Sequence, residues 1–256
     1  MKKIIAMANQ KGGVGKTTTA VNLAAALAEA GLRVLAVDFD PQGNMSSGIG
    51  VDKEQVQNSV YELIMENCSV EDAIQKSYSE QLDVIAANVN LSGAEIELLE
   101  MENRETVLKR HLTPVIENYD FILIDCPPSL SLLTVNALTA ATDVLIPIQC
   151  EYYAMEGLNQ MLQSIQLIRR RLNPELRVEG IVFTMYDARN NLSQQVVESV
   201  KEVLQEYIYE TVISRNVRVA EAPSYGMPVT EYDPGSSGAE NYRKLAAELL
   251  SREDGV

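Results

Sequence analysis

The stretch Lys11-Gly12-Gly13-Val14-Gly15-Lys16-Thr17-Thr18 decides the fold of this chain. It follows a short apolar run, 3–8, and opens a helical pattern over 16–30 that ends before Gly31. A glycine-rich turn between a strand and a helix N-terminus suits phosphate, because glycines let the backbone approach the anion and the helix dipole attracts it. The sequence therefore predicts a nucleotide-binding loop after the first strand.

Two residues in this loop are of types that bind a nucleoside triphosphate and its metal ion. Lys16 is placed to reach the β- and γ-phosphates, and the Thr17 hydroxyl is placed to ligate Mg²⁺. The general P-loop pattern has a glycine five residues before Gly15, where this chain has Gln10 instead. The loop thus predicts a triphosphate with Mg²⁺, in a form that departs from the general pattern.

Short, continuously apolar runs alternate with helical patterns along the chain. Continuous apolar runs are typical of strands buried on both faces of a parallel sheet. The alternation predicts a doubly wound α/β fold, with a mostly parallel sheet flanked by helices, and a single domain over 1–256. The predicted strands are 3–8, 33–37, 82–86, 121–125, 144–148, 178–184 and 211–213, and the longer helices are 16–30, 154–172, 192–207 and 238–250.

The composition excludes several classes of protein. Of the 256 residues 46% are hydrophobic and 22% charged, which excludes a disordered, collagen-like or disulfide-scaffold chain. Three widely spaced cysteines without a CxxC pair fit reduced thiols. The apolar run at 4–8 is too short for a signal peptide, and no stretch approaches 18 apolar residues. We therefore expect a cytoplasmic protein without a membrane span.

Two further motifs place carboxylates at the ends of predicted strands. Asp38 and Asp40 follow the second strand, and Asp125 ends the apolar run 121–125 before Cys126-Pro-Pro-Ser129. Ligands of open α/β sheets bind at this edge. An apolar strand ending in aspartate is also the Walker B layout, which holds Mg²⁺, usually through water. An ordinary turn after a strand remains an alternative for Asp38 and Asp40.

The motif Lys-Gly-Gly-x-Gly-Lys-Thr at 11–17 resembles the deviant Walker A motif of the ParA/MinD/nitrogenase iron protein class of P-loop ATPases. Segments 151–158, 185–189 and 215–224 resemble those of the short ParA/Soj chromosome-partitioning ATPases, so the likeness spans essentially the whole chain. It implies ATP and Mg²⁺ as cofactors and hydrolysis of ATP to ADP and phosphate. It also implies an ATP-dependent sandwich homodimer in which Lys11 reaches the partner's phosphates, as an arginine finger does elsewhere.

The same resemblance assigns further residues. Asp40 would position or activate the attacking water and is a further candidate Mg²⁺ ligand, while Asp38 would lie near the metal and the loop network. Arg215 and Asn216 would lie by the base of the nucleotide. Arg189 and Arg218 would bind DNA non-specifically in the dimer.

Structural readings of the basic residues stay open beside these. Arg189 also fits a loop arginine at a helix start, and Arg218 also fits a salt bridge to Glu221 three residues on. The triplet 169–171 is equally suited to complement a helix dipole at its last turn. The only histidine, His111, has no Cys or His at ligand spacing, so we expect no metal site there.

The resemblance implies that the chain partitions chromosome or plasmid DNA with a ParB-like partner and associates with the nucleoid. The alternative is a MinD-like positioning ATPase that acts on a membrane or protein scaffold. MinD-like membrane cycling needs a basic amphipathic C-terminal anchor, whereas the tail 249–256 carries acidic residues, so no membrane is expected. With the P-loop at 11, we also expect no N-terminal helix-turn-helix extension.

The net charge restricts any contact with DNA. The chain has 36 acidic and 21 basic residues and a formal charge of −15. A uniformly basic surface is therefore excluded, and contact with DNA has to come from a local patch. Dimerisation would pair two small arginine patches, so we expect DNA binding that is weak, salt-sensitive and conditional on ATP.

Overall fold

A computed structural model describes residues 2–204 and 207–254 of the chain. Within these residues the strands are β1 (Lys3–Met7), β2 (Val34–Asp38), β3 (Ile74–Lys76), β4 (Leu82–Ile85), β5 (Phe121–Asp125), β6 (Asp143–Gln149) and β7 (Arg177–Thr184). They form one sheet in the order β3–β4–β2–β5–β1–β6–β7. All neighbours are parallel except β3, which runs antiparallel to β4. The predicted mostly parallel α/β fold is confirmed.

Helices connect the strands and cover both faces of the sheet. They are α1 (Lys16–Glu29), α2 (Asn44–Gly48), α3 (Val60–Ile64), α4 (Val70–Ala73), α5 (Leu91–Glu97), α6 (Val107–Leu112), α7 (Leu132–Ala140), α8 (Ala154–Arg171), α9 (Asn191–Leu204), α10 (Val217–Glu221), α11 (Val229–Tyr232) and α12 (Ser237–Asp254). Short 3-10 turns occur at Leu98–Glu100, Arg104–Thr106, Thr113–Asn118 and Ala222–Tyr225. Over residues 2–204 and 207–254, none of the helices is long and apolar enough to cross a membrane.

The core has two layers, one on each face of the sheet. Ile4 and Ala6 of β1 join the layer that α7 and α8 cover, whereas Ile5 and Met7 join the layer that α1 and α12 cover. Successive residues of a strand point to opposite faces, so both sets are buried. This explains why the strands are continuously apolar rather than alternating.

The structure differs from the strands predicted from the sequence at two places. The predicted strand 211–213 is wrong, since the structure has no strand there. Isolated bridges, Ile208 to Ile181 and Ser214 to Tyr186, flank the segment, and the Ile213 amide donates to the Phe183 carbonyl of β7 at 2.8 Å. The backbone amides of Glu210 and Thr211 donate to the Glu248 carboxylate, at 2.7 and 2.8 Å, instead of to a strand. The edge strand β3 was missed because it has only three, partly exposed residues.

Two expectations extend beyond what the structure describes. The predicted helix 192–207 corresponds to α9, which ends at Leu204, and residues 205–206 lie outside the described part. The last two residues of the acidic tail, 255 and 256, also lie outside it. The expectation of a single domain over 1–256 stays a prediction.

Candidate nucleotide-binding site

Three predicted site segments meet at the carboxyl edge of the sheet. β5 lies between β1 and β2, and Asp125 is the register partner of Met7 on one side and of Asp38 on the other. The loop 8–15 leaves β1 at this point, beside the two aspartates. The parallel register therefore brings together motifs that are separated by up to 117 residues along the chain.

The glycine-rich loop has the backbone of an anion cradle. Gly13 and Gly15 have φ of +74° and +86°, in the left-handed region that favours glycine. No side chain in the described part caps the N-terminus of α1, so its first amides are free to bind an anion. The Thr184 hydroxyl lies 2.7 Å from the Val14 carbonyl, which fixes the loop against β7.

Lys16 is buried at the start of α1 and points back over the loop. Its Nζ donates to the backbone carbonyl of Lys11 at 3.0 Å. Burial lowers the pKa of Lys16, and the nearby Asp125, Cys126 and Asp40 oppose this effect. Lys16 has no ion pair with a side chain of the described residues, and a lysine so placed in a cradle of amides is suited to bind a phosphate group.

Asp125 fits a magnesium site. Both of its carboxylate oxygens are buried and lack a hydrogen-bond partner within residues 2–204 and 207–254. Burial and the neighbouring Asp38 raise its pKa well above the usual range, and Thr17 and Lys16 oppose the rise. A buried carboxylate with so little hydrogen bonding suits a hard cation such as Mg²⁺, which prefers oxygen ligands.

The protein supplies few ligands for such a cation. No group of three or more His, Cys, Asp or Glu side chains able to hold a metal occurs in the described residues. Mg²⁺ commonly takes one or two protein oxygens and completes its shell with phosphates and water. Thr17 and Asp125 are therefore compatible with Mg²⁺ that arrives with a nucleotide.

Asp38 holds the loop that follows β2. Its Oδ2 accepts hydrogen bonds from the amide and the hydroxyl of Ser46, both at 2.7 Å, and its Oδ1 accepts one from the Asp40 amide at 3.3 Å. The Ser46 hydroxyl oxygen in turn accepts from the Ala87 amide at 2.9 Å. Burial raises the pKa of Asp38 to about 6. Asp38 thus has a loop-organising role.

Asp40 lies in a turn at the same edge. Its Oδ1 accepts a hydrogen bond from the Gln42 amide at 2.9 Å, and its carbonyl accepts one from Gly43 at 2.9 Å. The ordinary turn that the sequence allowed is therefore present. Asp40 is also close enough to Lys16 and Asp125 to affect the pKa of both.

A cavity of about 180 Å³ adjoins the loop on the side of β7. Arg215 and Asn216, which the resemblance assigns to the surroundings of the base, line it together with Gly15 and Thr18. The Asn216 carboxamide oxygen caps α10 by accepting from the Arg218 amide at 2.8 Å, which fixes this wall of the cavity.

Sequence reasoning missed other residues that line this cavity, Thr184 and Tyr242 among them. Thr184 ends a predicted strand, so its position at the carboxyl edge was a usable signal. Tyr242 reaches the cavity from α12, far along the chain, and the sequence carries no signal for it.

Lys11 does not point into its own cradle. Its ammonium pairs with Glu151, and its amide donates to Asn9 Oδ1 at 3.0 Å. Glu151 is followed by Tyr152 and Tyr153, which are among the most exposed large side chains of the chain. Gly12 lies beside Pro128 of the segment after β5. The Lys11–Glu151 pair was not foreseen, because the two residues are 140 positions apart.

The candidate DNA-binding arginines are exposed but paired with carboxylates. The Arg189 guanidinium is 90% exposed and bonds both oxygens of Asp187, and this lowers the pKa of Asp187 to about 2. Arg218 pairs with Glu221 at 2.9 Å, as the alternative reading expected, and with Asp233 at 3.2 Å. The triplet 169–171 forms the last turn of α8.

Comparison with known proteins places this geometry in a family. A model described as an AAA domain matches residues 2–178. The sporulation initiation inhibitor protein Soj of Bacillus subtilis is 56% identical over 98% of this chain and 99% of its own length. The chromosome partitioning protein ParA of Caulobacter vibrioides is 50% identical over 98% and 95%. The chain belongs to the ParA/Soj family of P-loop ATPases.

Solved structures agree with this assignment. The cobyrinic acid a,c-diamide synthase of Mycobacterium smegmatis, with bound ADP and magnesium, is 37% identical with a TM-score of 0.85 over 99% of this chain and 96% of that one. The cell division ATPase MinD of Pyrococcus furiosus is 28% identical with a TM-score of 0.82 over 98% and 100%. ATP and Mg²⁺ are the cofactors of the chain, and its general function is that of a positioning ATPase.

Replacement of Lys16 tests the site directly. We expect Lys16→Ala to weaken ATP binding by at least about thirtyfold, because a lost charge-assisted contact to phosphate costs about 2 kcal/mol or more. Titration calorimetry with Mg-ATP measures the effect. Lys244→Ala, which removes an exposed lysine of α12, is the matched control and should bind as the wild type does. Unchanged affinity in the Lys16 variant would contradict the assignment of the loop.

Proposed function

We propose that the chain is an ATPase that dimerises around Mg-ATP, binds DNA non-specifically in that state and partitions chromosome or plasmid DNA with a ParB-like partner. The observation that carries the proposal is the position of Lys11. It belongs to the phosphate loop, yet its ammonium is turned away from its own cradle toward Glu151 at the rim. The names of the Soj and ParA relatives support the cellular role.

The surface around Lys11 is suited to a second subunit. Glu151 is followed by the exposed Tyr152 and Tyr153, and Leu130 is exposed in the segment after β5. Exposed aromatic residues are enriched at protein interfaces. When two such surfaces close over the nucleotides, Lys11 would exchange Glu151 for the partner's phosphates and neutralise charge that develops during hydrolysis.

The remaining steps use the carboxylates at the edge of the sheet. Thr17 and, through water, Asp125 would hold Mg²⁺, which stabilises negative charge on the phosphate oxygens. Asp40 would orient the attacking water, with Asp38 and Ser46 fixing the loop that carries it. Hydrolysis would end the dimer, and a ParB-like partner would accelerate that step.

Arg189 and Arg218 would contact DNA phosphates without reading bases. Their carboxylate partners Asp187, Glu221 and Asp233 compete with phosphate for each guanidinium. Together with the charge of −15, this makes binding by one subunit weak. The proposal therefore requires the dimer, in which two patches act on one DNA molecule.

Sedimentation with DNA and with anionic liposomes, each with ATP and with ADP, tests the proposal. We expect co-sedimentation with DNA in ATP only, since only ATP would support the dimer, and none with liposomes. Binding to liposomes alone would favour the MinD-like alternative. Equal DNA binding in both nucleotides would contradict the partitioning cycle.

Removal of the exposed arginines tests the DNA contacts. Arg189→Ala and Arg218→Ala should each weaken DNA binding and lower the slope of log affinity against log salt by about 1, without loss of basal ATP hydrolysis. Arg33→Ala is the matched control, because Arg33 is as exposed as Arg218, pairs with Asp120 and precedes β2 at the opposite edge of the sheet. An effect of the control as large as that of the two variants would show general charge dependence instead.

Replacement of Asp40 separates binding from hydrolysis. Asp40→Ala and the isosteric Asp40→Asn should retain ATP binding and ATP-dependent dimerisation and lose hydrolysis by about 100-fold or more, as expected for a group that positions the reacting water. Phosphate release and sedimentation velocity measure the two properties. Rapid hydrolysis by Asp40→Asn would remove Asp40 from the mechanism.

A further inference from the structure

A helical segment leads away from the nucleotide site on the side of β4. After β4 ends at Ile85, a helical turn begins at Asn88, α5 follows, and the 3-10 turn Leu98–Glu100 continues it. The backbone angles at Asn90, Glu97 and Leu98 are all right-handed helical. Residues 88–100 thus form one continuous helical path on the surface.

One face of this path carries an apolar stripe that faces solvent. Val89, Ile96 and Leu99 are 75%, 73% and 57% exposed, although Leu91, Ala94 and Leu98 on the opposite face are buried. With Ser92, the exposed positions have the spacing i, i+3, i+7 and i+10. This is the pattern by which one amphipathic helix packs against another. We define these four residues as the α5 stripe.

The α5 stripe is surrounded by negative charge. Between 89 and 105 the chain has five glutamates, at 95, 97, 100, 102 and 105, and a single cation, Arg104. The Arg104 guanidinium already forms an ion pair with Glu105 and donates a hydrogen bond to the Leu99 carbonyl. Glu95, Glu100 and Glu102 form no ion pair with any residue of 2–204 and 207–254. The stripe therefore combines apolar anchors with uncompensated acidic neighbours.

The negative charge indicates which kind of binding partner fits this apolar surface. A second copy would bring five more glutamates against the same glutamates, and like charges at an interface cost several kcal/mol. An anionic lipid surface would be repelled for the same reason. Lysine and arginine beside an apolar stripe would satisfy both features of the surface.

The stripe is connected to the loop that carries Asp40. Ala87, two residues before Val89, donates its amide to the Ser46 hydroxyl that bonds Asp38. The Ala87 carbonyl lies against Gly43, where a Cβ would be only 2.7 Å from it. A shift of the 87–89 backbone therefore moves its direct contacts in the loop 38–46.

We propose that the α5 stripe is the docking surface for a basic amphipathic helical segment of a partner protein, and that this docking restrains the loop 40–46 through Ala87 and Ser46. The docking itself depends only on the surface. Its effect on ATP hydrolysis rests on the proposed function of Asp40.

The test uses a labelled 18-residue helical peptide as the probe, with leucines at i, i+3, i+7 and i+10 and lysines at most other positions. Fluorescence anisotropy measures its binding to the full chain. The double variant Ile96→Ser/Leu99→Ser should weaken binding by about tenfold or more. Leu167→Ser, at an exposed leucine of α8, is the matched control and should change it by less than about twofold.

A second peptide of equal composition, with its leucines scrambled, separates the stripe from general attraction to an acidic protein. It should bind at least about tenfold more weakly than the first. Equal binding of both peptides, or equal binding by the double variant, would overturn the docking surface. The docking surface would also be overturned if the wild type formed a dimer without nucleotide, or bound anionic vesicles, and the double variant abolished that association.

Hydrogen exchange of residues 40–47 measures the coupling without ATP hydrolysis. We expect bound peptide to slow this exchange in the wild type, and not in the double variant at the same peptide concentration. Binding without slowed exchange would overturn the coupling and leave the docking surface supported. Because neither measurement uses nucleotide or DNA, a failure of the partitioning model would appear separately in the ATP and DNA experiments.

Discussion

Two buried aspartates impose the main constraint on this structure. Asp38 and Asp125 end adjacent parallel strands and are register partners. Burial raises the pKa of both, and the neighbouring Asp38 raises the pKa of Asp125 further. Two carboxylates so placed are costly to ionise unless donors or cations compensate them. The surrounding loops supply that compensation to the two residues in different ways.

Asp38 is compensated from within the chain, by Ser46 and by the Asp40 amide, whereas Asp125 keeps both oxygens free of partners in the described residues. The two aspartates therefore have different roles. Asp38 ties the loop after β2 to the sheet. A cation bound at Asp125 would therefore change the electrostatic balance of the pair.

The loop after β2 also contacts the segment that carries Arg218. Gly50, just after α2, and Gly226 both have left-handed φ, of +89° and +64°. A Cβ on Gly50 would lie 3.0 Å from the Gly226 carbonyl oxygen, so the two backbones meet closely. On its other side the same loop contacts Ala87 through Ser46. The loop is therefore packed between the arginine-bearing segment and the α5 stripe, and a displacement of it reaches both surfaces.

The sequence predicted those features that depend on local spacing. The phosphate loop and the strands that end in Asp38 and Asp125 are each encoded within about ten residues, and the parallel register follows once the sheet forms. Glu151 beside Lys11 and Tyr242 in the cavity depend on contacts across more than 100 residues, which spacing does not encode. The error at 211–213 has the same origin, because the distant Glu248 accepts the hydrogen bond of the Thr211 amide.

Part of the negative charge of the chain lies beside the two arginines that are candidates for DNA contact. Arg189 and Arg218 are both paired with carboxylates, so each is partly neutralised before any phosphate arrives. Exposed pairs of this kind contribute little to stability, since solvent screens them. They are therefore readily exchanged for a phosphate, but each exchange leaves a carboxylate near the DNA. An isolated patch gains little from that exchange. Only an arrangement that presents several arginines to one polyanion at once gains enough free energy, and the proposed dimer would be such an arrangement.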